Sequence, residues 1–126
     1  MESISLTELA QQQLTRAQQA SAGRSAHTIY GGRERTLRQT IIALTAGTGL
    51  ADHDNPGQAT LHVLSGQVRL ATADDAVQLS AGDHAAIPDA RHTLAADADS
   101  VVVLTVATDD FSAHPAAAKD FSGEPA

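Results

Sequence analysis

With no cysteine among its 126 residues, the chain excludes disulfides, Cys-ligated zinc, iron–sulfur clusters and cysteine nucleophiles, and its length suits one domain with one core. A formal charge of −7, with eight basic residues scattered apart from Arg33 and Arg35, excludes the positive face that a phosphate backbone needs, so nucleic acid is not an expected partner. Aromatic residues are only 2% of the chain, so Leu, Ile, Val and Ala must fill the core.

The opening Met1-Glu2-Ser3-Ile4-Ser5 carries neither the basic start nor the apolar stretch of a signal peptide, and a cytoplasmic location is expected. The longest strongly apolar run, 101–104, is far too short to span a bilayer, so no membrane is expected as a partner. Residues 5–22 read as a helix. Ser5 and Glu8 have the spacing of a capping box, and Leu6, Leu9, Ala10, Leu14 and Ala17 recur on one face. Gly23 is a natural stop. The stripe is narrow and Ala-rich, suited to docking on the domain's own strands or on a second subunit.

From residue 25 the pattern changes to short runs rich in Val, Ile, Leu and Thr. Strands are expected at 25–30, 36–44, 58–64, 67–72, 76–79, 84–87, 92–95 and 100–107, divided by Gly31-Gly32, Asn55-Pro56-Gly57, Ser65-Gly66, Asp74-Asp75, Gly82 and Pro88. The acidic pairs Asp74-Asp75, Asp97 with Asp99, and Asp109-Asp110 fall in turn-like places and read as solvated loop charges. Short strands at this spacing predict an all-β sandwich or barrel joined by hairpins. The expected organisation is a helix over 1–24, a barrel over 25–108 and a tail over 109–126. Within the tail, Asp110-Phe111-Ser112 and Asp120-Phe121-Ser122 form a near-repeat, read either as an unstructured terminus or as a clasp. Ser65 and Ser80 have no flanking nucleophile elbow, and Gly47-Thr48-Gly49 lacks the helix and Lys of a phosphate loop.

Two stretches carry a family resemblance. Gly47 is followed after five residues by His53, with Asn55 two positions on, Ala59 four further, and Gly66 after six more. Then Gly82-Asp83 leads to Pro88 and His92. The pair, in this order and 15 residues apart, resembles the two signatures of the cupin superfamily across about residues 36–107. The resemblance implies an antiparallel β-barrel or double-stranded jelly roll of the small RmlC-like kind, here with one N-terminal helix. It also implies a site of three imidazoles and a carboxylate holding a divalent transition metal: iron, manganese, nickel, copper or zinc. This chain keeps His53 and His92 of that set. Asn55 stands at the second His position and Ala59 at the Glu position, and the turn before His92 is one residue short.

The resemblance therefore implies a pocket with His53, Asn55 and His92, and His53 and His92 as metal ligands. His84, which opens the strand leading to Pro88, is a further ligand candidate whose facing the sequence leaves open. His62 and Gln58 are out of phase with an inward residue 59. Arg38 interrupts the apolar run 37–44: pointing inward it would clamp a carboxylate, pointing outward it is a solvated Arg on an amphipathic strand. His27 and His114 lie outside both motifs. Three functions stay open: a small-molecule binder with a weak or absent metal centre, a metal-dependent enzyme of dioxygenase or isomerase type, and a structural dimer module. A homodimer is expected, with 25–30 pairing into its own sheet or, as the resemblance favours, reaching a second subunit.

Overall fold

A computed structural model of the chain describes residues 1–53 and 58–108. One helix, α1 (Leu6–Gln19), precedes nine strands among the described residues: β1 (Arg24–Tyr30), β2 (Leu37–Leu44), β3 (Gly49–His53), β4 (Gln58–Ser65), β5 (Gln67–Ala71), β6 (Ala76–Ser80), β7 (His84–Ala86), β8 (His92–Ala96) and β9 (Ser100–Ala107). They form two antiparallel sheets, ordered β1-β2-β9-β4-β7 and β3-β8-β5-β6. The tail over 109–126, with its near-repeat, lies outside the described residues.

The two sheets face each other across one core. Ile42, Leu44, Leu61, Val63, Val102 and Leu104 enter it from the first sheet, and Val68, Leu70, Leu79, Leu94 and Ala96 from the second. Alternation along each strand produces this directly: Ala59, Leu61 and Val63 point in, while Gln58 and His62 are exposed. The centre of β2 and most of β9 break the alternation and are buried on both faces, because α1 covers the outer side of β1, β2 and β9. A second apolar cluster forms there from Ala17, Ile41, Ala43, Val101 and Val103, flanked by Leu9, Ala10 and Leu14 of the helical stripe. The unbroken runs Thr40-Ile41-Ile42-Ala43-Leu44 and Val101-Val102-Val103-Leu104 are thus the mark of strands packed on both sides.

The helix starts as its sequence predicts, with the Ser5 hydroxyl accepting from the Glu8 N–H at 3.2 Å. It ends at Gln19, three residues earlier than the periodicity suggests. Ala20 is extended, and Gly23, at φ +72°, makes the turn into β1. The segment at 25–30 pairs with β2 of its own chain, from Arg24 opposite Leu44 to Tyr30 opposite Gln39, and α1 docks on its own sheet.

One strand was not expected from the sequence. Gly49–His53 reads as turn, since its only large apolar residue is Leu50 and glycines precede it. It forms β3 because β8 offers a partner edge and Leu50 packs against the core. Gly49 is held against that edge, where a Cβ would lie 2.3 Å from the Leu94 carbonyl oxygen. Asp99, in the turn before β9, ties three segments. Its carboxylate accepts from the Ala46 N–H at 2.9 Å and from the Gln18 amide at 3.0 Å. These bonds, the Ala46 bond foremost, hold it below the usual carboxylate range.

Candidate functional site

The strand ends gather the motif residues at one end of the barrel. On the first sheet, Arg38 of β2 is opposite Val106 of β9, which is opposite Ala59 of β4. Ala59 is buried in the core, and the Ile87 N–H donates to its carbonyl at 2.9 Å. Arg38 shares the register face of Thr40, Ile42 and Leu44 but stands at the open end, exposed. On the second sheet, β3 and β8 set position 53 directly opposite His92, with a one-residue irregularity between Leu50 and His53.

His92 begins the inward series His92, Leu94, Ala96 and is 5% exposed. Its Nδ1 lies 3.0 Å from the Ala90 carbonyl oxygen. A carbonyl only accepts, so this bond calls for a hydrogen on Nδ1. The short turn Pro88-Asp89-Ala90-Arg91, one residue below the family pattern, delivers that carbonyl two positions before the ring. Beside it, a cavity of about 420 Å³ opens between the edge strands β6 and β7, lined among others by Leu70, Thr72, Val77, Ala85, Pro88 and Ala90. Leu70 belongs to the core, so the opening reaches the barrel interior.

The other candidates go elsewhere. His84 is exposed and opposite His62 on the outer face of the sheet. Ala85 and Ile87 take the inward places on that side of the barrel, so His84 does not join His92. Asn55 lies outside the described residues. The closeness of the β6–β7 opening to His92 was missed in the sequence, because it depends on which edges the two sheets leave unpaired.

The donors present do not match the full metal set that the resemblance implies. Ala59, at the carboxylate position, has no donor atom. Among the described residues no three His, Cys, Asp or Glu side chains converge as a metal site. No helix there is long and apolar enough to cross a membrane.

No family model matches the chain, and no curated protein matches it. Solved structures do. It is similar to a cupin superfamily protein of Desulfitobacterium hafniense, with 13% identity and TM-score 0.63 over 68% of this chain and 78% of that one. An RmlC-like cupin of Shewanella frigidimarina superposes at TM-score 0.61 with 16% identity, over 73% of this chain and 82% of that one. A variant of the salicylate 1,2-dioxygenase of Pseudoaminobacter salicylatoxidans matches at TM-score 0.70 and 21% identity, covering 84% of this chain but 36% of the enzyme. Two facing antiparallel sheets behind one helix, with neighbours of this kind, make the chain a small domain of cupin fold.

Proposed function

We propose that the chain is a small-molecule-binding cupin, with the ligand taken at the barrel end that holds His92 and Arg38, and with weak or absent divalent metal binding at His53 and His92. The observation that carries this reading is Ala59. At the inward position where the resemblance implies a metal-binding carboxylate, the chain has a methyl group packed into the core. The charged residue on that register row is instead Arg38, a cation. A row that has exchanged an acid for a base is suited to an organic anion, whose carboxylate a guanidinium grips with two parallel hydrogen bonds. The cavity between β6 and β7 has the size of small-ligand sites.

A second reading is supported by the opposition of positions 53 and 92 and by the dioxygenase among the structural neighbours. On that reading two imidazoles hold a transition metal, and water or substrate completes its shell. Tag-free protein examined by native mass spectrometry and elemental analysis separates the two. Binding predicts a co-purifying organic molecule, lost in R38A, and no stoichiometric metal that depends on His92. One metal per chain, surviving dialysis and absent from H92A, would instead establish the metal-centred reading.

A further inference from the structure

The outer face of the first sheet holds a second pair of histidines that the barrel site does not use. His62 of β4 and His84 of β7 are directly opposite in the ladder. The hydrogen bonds on either side fix what kind of pair this is. The Val63 N–H donates to the Asp83 carbonyl at 2.9 Å, and the Ile87 N–H donates to the Ala59 carbonyl at 2.9 Å. Hydrogen-bonded positions therefore fall on residues 59, 61 and 63 of β4, and the 62/84 pair lies between them as a non-hydrogen-bonded pair. Such pairs bring their side chains closest, with Cβ atoms about 4.5–5.5 Å apart.

Both imidazoles are exposed, and neither makes a hydrogen bond or ion pair within the described residues. The helix does not reach them. It covers β1, β2 and β9, and its apolar cluster takes in Val103 of β9 and Leu64 of β4 but neither histidine. On the outward face His62 is flanked by Thr60 and Leu64 along β4 and by Val103 across on β9, and the carboxylate beside His84, Asp83, accepts from the Ser80 N–H instead. Among the described residues β7, a strand of three residues, is the edge of this sheet. Among the described residues the pair is thus exposed, with a paired ladder beneath it.

We propose that His62 and His84 form a surface binding site for a divalent transition ion, copper(II) or zinc(II), with water completing the coordination shell. Imidazole nitrogens bind such ions at about 2.0–2.1 Å, so two adjacent ligands on one metal sit about 3 Å apart. Two rings rising from Cβ atoms about 5 Å apart reach that separation by rotating about χ1 and χ2. The ladder holds both ligands together before the metal arrives, so the second bond forms intramolecularly. Copper(II) should bind more tightly than zinc(II), following the general order of divalent affinities for nitrogen sites. A net charge of −7 favours cation approach over the whole surface. The site is distinct from the barrel end, because residues 62 and 84 belong to the outward set of strands whose inward set lines the core.

The test is titration of the tag-free full chain with copper(II), followed by paramagnetic broadening of amide signals. The expected result is broadening centred on residues 60–62 and 84–86 at one equivalent. Affinity should fall by about tenfold or more in H62N and in H84N, because each removes one of two linked ligands, and H27N, at an exposed histidine of β1 outside both sites, should leave it unchanged. Both substitutions are on exposed positions, and the undisturbed remainder of the spectrum reports that the variants fold. Zinc(II) should displace copper(II) only in large excess. Unchanged affinity in the H62N/H84N double variant would overturn the proposal. So would broadening centred on residue 92 and lost in H92N, which bears on the barrel end alone.

Discussion

Gly66 shows how much one residue can determine in this chain. It joins β4 of one sheet to β5 of the other, at φ +84°, with Ser100 packed directly against it. A Cβ there would lie 2.2 Å from the Ser100 hydroxyl oxygen and 2.3 Å from the Asp99 carbonyl oxygen. Neither neighbour can yield easily. Ser100 is fully buried, accepts from the Gln67 N–H at 3.0 Å and donates to the Ala98 carbonyl at 2.7 Å. G66A should therefore cost roughly 2–4 kcal/mol, from a left-handed backbone with a side chain plus the clash. Urea unfolding measures this, and a loss below about 1 kcal/mol would show that the turn between the sheets can relax. The motif glycine at this position thus has a structural reason independent of any ligand.

At the scale of elements, the contact between α1 and the sheet explains the small residues of the helical stripe. Ala17 has no exposure and sits among Ile41, Ala43, Val101 and Val103. The helix lies close because that position is small. Gln13, also buried, accepts a hydrogen bond from the Ser25 hydroxyl and anchors the helix to β1. A17L would force large side chains apart at this contact and should destabilise by about 1–3 kcal/mol. Chemical denaturation of A17L beside L6A checks this. Leu6, at 37% exposure, should tolerate truncation far better. Equal losses would mean that the helix is held evenly along its length rather than at Ala17.

For the whole molecule, Asp99 links the helix, the turn after β2 and the turn before β9 through one carboxylate. Because its folded pKa is depressed, its contribution is fully present above the ordinary carboxylate range. It is lost as pH falls from about 4 through the lowered value, where the carboxylate takes up a proton in both states. D99N keeps an acceptor oxygen but no charge. Its melting temperature should lie below that of the parent at neutral pH, and the gap should close in acid. A gap that stays the same at pH 2.5 and pH 7 would assign the effect to shape rather than to charge.

The fold was legible at the level of local pattern. Ser5 with its helical stripe announced α1, and alternation such as Ala59-Thr60-Leu61-His62-Val63 announced strands with one inward face. The two glycine-bounded motifs, in order, announced the cupin fold. These signals are local, set by side-chain period and by the turns that glycine permits, so a single chain carries them. The same parity placed Gln58 and His62 out of phase with Ala59. It could not place His84, whose facing depends on how β7 pairs with β4, nor β3, whose residues lack strand character until β8 supplies an edge. Arg38 was ambiguous for a related reason. Its register with Val106 sets the face, while its position at the strand end leaves it exposed. The pairing of positions 53 and 92, 39 residues apart, and of His62 with His84 exist only because non-local hydrogen bonding aligns the strands. Side-chain chemistry was written in the sequence; which histidines meet was decided by the register of the sheets.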